Sequence, residues 1–478
     1  MYWRIGGVEH YVLSLEPEAK AGAPRQRPRS ATFSGLRPSA SASTPSVTRW
    51  AGSPCRQLLA GVTQRGVYLW NAKPFALLSS LVYETDEFGH MVDLVWAPLG
   101  DRLFVVLSRG YIYEINVQRR DDVVLEYRFA TKHYYARGPG EEHGIRGVGL
   151  AQRRTFRLPS TDSPVLCVTA AHGHAMVATR THVYRMTWAG ALASSSAVEE
   201  IYAGFGSQDT DNTHDAMIVQ LGAFGESDAE YFVFDDGSVR IVGDGVQALD
   251  GLEATALDYS AASGMAAVGT ATGTVHLFAL EGTKLERVGR ADGSGQVTGL
   301  RWAPDGAVVA STHASGHVVV RTLLGREINA TRVGDAGFVA WGVGARLFVG
   351  GARGAWALAF ARAMGNEGSN VSLFSDDTVF VQTRGVDEGA VWRVEHVAAS
   401  YTGSNAPMRV AAASADGCVA VAGARGLAVR SGGRWRLQRT ARERMAEYTA
   451  LAWYGAHVAA ACVDHERNGV ARLEFWAG

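Results

Sequence analysis

The chain has 478 residues, 47% of them hydrophobic, with 46 basic against 47 acidic side chains and a formal net charge of −1. It is longer than one ordinary domain and apolar enough for buried cores, and its charge balance supplies no global field that would favour nucleic acid or a membrane surface. No apolar run approaches a membrane span, and Cys55, Cys167, Cys418 and Cys462 contain no CxxC pair, which argues against a metal centre or disulfide framework and suits a reducing cytosol.

In chain order, Met1-Tyr-Trp-Arg-Ile5 reads as a short strand, and the N-terminus lacks the basic region of a signal or transit peptide. Lys20–Val47 is rich in Ala, Ser, Pro and Arg without an acidic residue. It is expected to be disordered, because it cannot bury enough apolar surface to offset the entropy of ordering. Its basic residues Lys20, Arg25, Arg27, Arg29 and Arg37 lie among serines, the composition of a phosphate-regulated tail or of a plain solvated loop.

A repeat then begins. A glycine followed by a short β-type run recurs as GVYLW at Gly66, GYIYEI at Gly110, GSVRIV at Gly237, GTVHLF at Gly273, GHVVV at Gly316, GAWAL at Gly354, GLAV at Gly426 and GVARLEFW at Gly469. Two further units lack the glycine: Val165–Met186, turning at Thr181-His182, and Ser372–Gln382, turning at Asp376-Asp377. Arg119–Arg157, carrying His133, Tyr134, Tyr135 and the basic pair Arg153-Arg154, interrupts the period and reads as a loop insertion suited to partner contact or to no structure.

The steps 237→273→316→354 are 36, 43 and 38 residues, and Tyr259→Trp302→Trp341 keeps the same period at 43 and 39. A β-rich period near 40 is that of a four-stranded propeller blade. Asp236-Gly237, Asp305-Gly306 and Asp416-Gly417 are short-hairpin dipeptides, and the runs between them carry the Val, Ile, Tyr, Phe and Trp of strands. Ten units exceed the four to eight of one ring. The expected fold is therefore all-β, a WD40-type β-propeller of about seven blades followed by part of a second. The first propeller is placed at residues 1–360, with a disordered insertion at 20–47 and a loop insertion at 119–157; blades of a second, incomplete propeller occupy 361–478. The run Arg472–Trp476 reads as the third strand of a blade, so a fragment of a longer protein is expected; the alternative is that the N-terminal strand closes a ring.

No catalytic, cofactor-binding or metal-binding residue is assigned. Gly342–Gly351 has no lysine or helix start and reads as blade turns rather than a phosphate loop. His172 and His174 form HGH in a turn, and two histidines do not make a metal site. Asp235, Asp236, Asp376 and Asp377 read as hairpin turns. Gly293–Gly295 lacks the frame of a nucleophile elbow. Trp70, Trp96, Trp302, Trp341, Trp453 and Trp476 fall at strand positions and read as packing between blades.

Several strings are more specific than the repeat. Leu69–Pro74 reads LWNAKP, Met91–Val117 reads MVDLVWAPLGDRLFVVLSRGYIYEINV, Ser400-Tyr401 leads to Pro407-Met408-Arg409, and Leu451-Ala-Trp453 follows. Together these resemble the N-terminal WD40 region of the Ric-one family, across most of the chain except Arg119 to about Gln247. The GH and WD dipeptides usual in such repeats are missing. The resemblance implies a subunit of a guanine-nucleotide exchange factor for a Rab-six-type small GTPase in retrograde endosome-to-Golgi traffic, cytoplasmic and peripherally associated with the Golgi membrane. It implies an arrestin-like second subunit and the GTPase as partners, no nucleic acid, and no catalytic residue or cofactor of its own. The alternative is a generic WD40 scaffold in a coat, tether or ubiquitin-ligase assembly, without exchange activity.

Overall fold

The computed structural model describes residues 2–12, 46–72, 75–83, 87–125, 145–159, 163–171, 173–203, 216–225, 229–342, 345–352, 354–363, 365–366, 372–375, 377–384, 390–405, 408–414, 416–423, 426–437, 446–464 and 470–477. Six sheets of four antiparallel strands each follow chain order, at residues 49–82, 91–157, 165–197, 218–249, 254–291 and 297–332. They are blades 1 to 6. Blade 7 takes three strands, Phe338–Trp341, Arg346–Gly350 and Gly354–Ala363, from late in the chain and its fourth, Tyr2–Val12, from the beginning. The register runs from Tyr2↔Arg362 to Val12↔Gly354, with a bulge between Ile5 and Val8. The N-terminal strand therefore closes the seven-bladed ring at blade 7, and not the blade of Arg472–Trp476, which the alternative reading had it complete.

The innermost strands touch their neighbours in cyclic order, and Arg49–Gly52 of blade 1 meets Phe338–Trp341 of blade 7. Strand alternation builds the core. In Arg102–Leu107 of blade 2, Leu103, Val105 and Leu107 pack towards blade 1 while Phe104 and Val106 pack towards blade 3. With both faces covered, the strand reads as a continuous apolar run rather than an alternating one. One apolar cluster fills each of the seven junctions around the ring.

Three more sheets follow, so the ten units resolve as a seven-bladed ring and part of a second propeller. Sheet 8 spans 372–396, sheet 9 spans 410–437 joined by the parallel pair Gly365–Asn366, and sheet 10 spans 447–477. The strand Gly354–Ala363 passes through the expected division at 360/361. Its last residues pair Arg362↔Phe374 and Ala363↔Leu373, which ties sheet 8 to blade 7.

The repeating glycines occupy the second hairpin of their blades. Gly237 has φ 81°, and an added Cβ would stand 2.6 Å from Glu253 Cα; at Gly273 (φ 94°) it would stand 2.5 Å from Gly295 O. Both positive φ and close backbone exclude other residues there.

The insertion at 119–157 requires correction. Tyr111–Leu125 and Ile145–Arg157 are the long third and fourth strands of blade 2. Their charged side chains obscured the alternation. His133, Tyr134 and Tyr135 lie outside the described residues. So does most of Lys20–Val47, but Val47 is buried between blades 7 and 1 and its N–H donates to Ala352 O at 3.0 Å.

Candidate interaction surfaces

Several buried polar groups join neighbouring blades. A tryptophan near the end of an inner strand donates its indole N–H to the inner strand of the preceding blade. Trp96 reaches Ala51 O (3.1 Å), Trp302 reaches Asp258 O (3.1 Å), Trp341 reaches Arg301 O (3.1 Å) and Trp453 reaches Ala412 O (2.9 Å). The packing role read for these four is confirmed, and it includes a hydrogen bond that composition alone did not reveal. Gln220 and Gln247 make equivalent joints between blades 4 and 5, pairing their amides with the main chain of Leu257 and Leu285.

Buried charges are paired as well, both between blades and within them. Asp258 accepts from Arg301 Nη1 (2.6 Å) and from Trp302 N (2.7 Å). Burial pushes its carboxyl above the usual range, opposed by Arg301 and by the Trp302 N–H. Glu114, 1% exposed, is ringed by Arg102 (3.2 Å), Arg153 (3.3 Å) and Arg154 (4.0 Å), so the basic pair 153–154 neutralises a buried carboxylate. Glu230 pairs with Arg185, and Glu395 with Arg393 and Arg430.

His313, Ser311 and Arg321 form a buried chain. Arg321 Nη1 donates to Ser311 Oγ (2.7 Å), Ser311 lies 3.1 Å from His313 Nε2, and His313 Nδ1 lies 3.0 Å from Gly295 O. Burial and Arg321 hold the His313 pKa down, against the bond to Gly295. The neutral ring with its proton on Nδ1 fits this geometry: it donates to Gly295 O and accepts from the serine. Gly293–Gly295 is thus a loop fastened to blade 6.

The remaining candidates are turns. Asp235 Oδ1 accepts from Met217 N, and Asp236 accepts from Ser238 N and from Tyr202 Oη. Asp377 flanks the turn into Thr378, while Asp376 lies outside the described residues. His174 begins a strand after Gly173, paired with Ala171, and His172 lies outside. Gly342 N donates to Arg346 O across a turn. Among the described residues no group of three or more His, Cys, Asp and Glu could hold a metal ion, and no helix is long and apolar enough to cross a membrane.

The surface holds two other features. The first and third hairpins of a blade leave on one face of the ring, because successive antiparallel strands reverse. Leu99 in a first hairpin and Leu324 in a third are both exposed there. The second feature was not anticipated. Sheet 8 exposes Trp392 (42%) and Val394 (53%), and sheet 10 exposes Leu473 (64%) and Phe475 (63%).

Residues 257–342 match the Anaphase-promoting complex subunit 4 WD40 domain family. The match runs from the inner strand of blade 5 to that of blade 7. The chain is a WD40-type β-propeller protein. No curated protein matches it. Its joints build a propeller scaffold.

Proposed function

We propose that this propeller scaffold is a subunit of a guanine-nucleotide exchange complex acting on a Rab-six-type GTPase at the Golgi surface, beside an arrestin-like subunit. The observation that supports this reading most is the order of the strings LWNAKP, Ser400–Arg409 and Leu451–Trp453 along the chain. Their described residues are structural. Leu69 and Trp70 are buried; the Tyr401 hydroxyl donates to Gly426 O and accepts from Gly423 N, both at 2.8 Å. Met408 is fully buried, and Trp453 joins sheets 9 and 10. They support kinship of architecture, so the role carried over is that of a scaffold and no residue is made catalytic. Exchange itself breaks no covalent bond. A factor that binds the nucleotide-free GTPase more tightly than the loaded one shifts the population towards release.

Affinity purification of the tagged chain from its own cells, with mass spectrometry of co-purifying proteins, tests the reading. Recovery of an arrestin-like subunit and a Rab-six-type GTPase supports it. A second reading, a scaffold in a coat, tether or ubiquitin-ligase assembly without exchange activity, is favoured by the name of the matching domain, that of a subunit of the anaphase-promoting complex. Recovery of such components and neither expected partner would replace the first reading by the second.

A further inference from the structure

The first hairpins of blades 1, 2 and 6 make one and the same turn. In blade 2, Gly100 N donates to Ala97 O and Ala97 N to Arg102 O; in blade 6, Gly306 N donates to Ala303 O and Ala303 N to Val308 O. Gly100 and Gly306 have φ 70° and 68°, the left-handed region that glycine enters without a steric cost. Blade 1 makes the equivalent bonds, Arg56 N to Ser53 O and Ser53 N to Leu58 O, but the left-handed position holds Arg56, with φ 62°. Among the described residues, Glu253 and Ala345 are the others that adopt positive φ without being glycine. A strained residue kept where glycine would serve points to a use for its side chain.

The Arg56 guanidinium has no hydrogen-bond or ion-pair partner among the described residues, and solvent reaches it. Arg362, near the end of the third strand of blade 7, stands beside it. Arg362 Nη2 donates to Arg409 O (2.9 Å) and Met408 O (3.4 Å), and its guanidinium lies over the Phe374 ring (4.7 Å). Its charge therefore meets carbonyls and a ring face instead of a carboxylate. Arg409, at the start of sheet 9, pairs with Glu447. Asp305 is close, but its carboxylate accepts the Tyr2 hydroxyl and the Ala307 N–H. Burial first, then the Arg362 and Arg409 charges, lower the Arg56 pKa, with Tyr2 and Asp305 opposing. Three guanidinium groups thus face two carboxylates in the corner where blades 1 and 7 meet sheet 9.

We propose that this corner binds the phosphate group of a small soluble ligand, held by charge-assisted hydrogen bonds from Arg56 and Arg362. The flat fork of a guanidinium matches the oxygens of a phosphate, and two cations without a carboxylate of their own suit a doubly charged group better than a single carboxylate. The groups come from three separate sheets, so they enclose a corner that a free ion enters and a flat bilayer does not.

Isothermal titration calorimetry of the full 478-residue chain with inorganic pyrophosphate, at an ionic strength fixed with chloride, tests this. One site per chain is expected. Arg56→Gly gives the turn the residue that blades 2 and 6 use there, so its urea midpoint should equal or exceed the parent's. Its affinity should fall by at least about tenfold, the share of one charge-assisted bond. Arg109→Gln, in a second hairpin on the opposite face of the ring, should bind as the parent does. A parent chain that does not bind pyrophosphate overturns the proposal, including one that sediments with phosphatidic acid vesicles instead, since the phosphate would then belong to a lipid. Unchanged affinity in Arg56→Gly overturns it, as does equal weakening in Arg109→Gln, which would reduce the binding to general charge. A lower urea midpoint in Arg56→Gly would also overturn it, because the arginine would then be held in the turn for the fold.

Discussion

The side-chain amide of Gln220 treats Leu257 as a strand partner. Its Nε2 donates to Leu257 O at 2.5 Å and its Oε1 accepts from Leu257 N at 2.9 Å, so one side chain supplies the donor and acceptor of a missing residue between blades 4 and 5. Gln247 does the same to Leu285 at the outer strands, at 3.1 and 2.8 Å. The two amides fix both the inner and outer edges of one junction. Gln220→Met keeps the length and removes both bonds, leaving a peptide N–H without its partner. A loss of about 2 kcal/mol is expected, since an unsatisfied buried group costs about 1–3. Chemical denaturation of the variant beside the parent measures it; a change below about 0.5 kcal/mol would show that water takes over both groups.

Tryptophans of similar burial should respond differently to loss of the indole nitrogen. Trp302→Phe keeps most of the packing and removes the bond to Asp258 O, at a cost of about 1 kcal/mol from the hydrogen bond alone. Trp50 Nε1 is buried without a hydrogen-bond partner among the described residues. Trp50→Phe therefore carries no hydrogen-bond loss, only the smaller ring. Thermal unfolding of both variants should place Trp302→Phe below Trp50→Phe. The reverse order would mean that ring volume, not the indole bond, decides these joints.

Closure by the N-terminal strand makes Tyr2 a test of the ring. Its ring packs edge-on to Trp341 (5.5 Å) and Phe360 (6.3 Å), and its hydroxyl donates to Asp305 Oδ2 at 2.9 Å. Burial, with Asp305 adding to it, raises the Tyr2 pKa. Tyr2→Ala removes a buried aromatic, with an expected loss of about 3–5 kcal/mol, whereas Tyr2→Phe removes one bond, about 1 kcal/mol. Limited proteolysis should show Tyr2→Ala, but not Tyr2→Phe, releasing the 2–12 strand. Equal protection of all three chains would mean that main-chain pairing alone holds the closure.

The periodic features were legible because they are local. Gly237, Gly273 and Gly316 mark hairpins whose chemistry is written within a few residues, and Trp96, Trp302, Trp341 and Trp453 recur with the blades. The pairing of Tyr2–Val12 with Gly354–Ala363 has no local signal, because partners more than 340 residues apart share only a β-type composition. Arg153 and Arg154 read as a loop cluster because their partner, Glu114, sits on the preceding strand inside a hydrophobic run. Gln220 and Gln247 carried no signal at all, since a polar residue in a strand does not announce that it will imitate main chain. Leu473 and Phe475 look like core in the sequence, yet both are exposed on sheet 10.

Acid should test the inner strand of blade 2. Asp93 Oδ1 accepts from Leu94 N (2.8 Å) and Oδ2 from Val168 N (3.1 Å), which makes it a joint between blades 2 and 3. Burial raises its pKa from 3.8 to about 6, with the Val168 N–H, Arg49 and the Leu94 N–H opposing the rise. The folded protein then holds this proton more tightly than the unfolded chain between those two values. Stability from this group is fully present below about pH 4 and is lost as pH rises to about 6, by at most about 3 kcal/mol. His313 acts in the other direction. Its lowered pKa means that its contribution is present above the ordinary histidine range and is lost as pH falls. Asp93→Asn removes the titration but points an amide NH2 at one of the two N–H donors, so it should be less stable than the parent at pH 4. The gap should narrow as pH rises, because only the parent meets the cost of ionising. Urea midpoints for both chains from pH 4 to 7 measure this, and a gap that is constant or widens with pH would rule out a titrating Asp93.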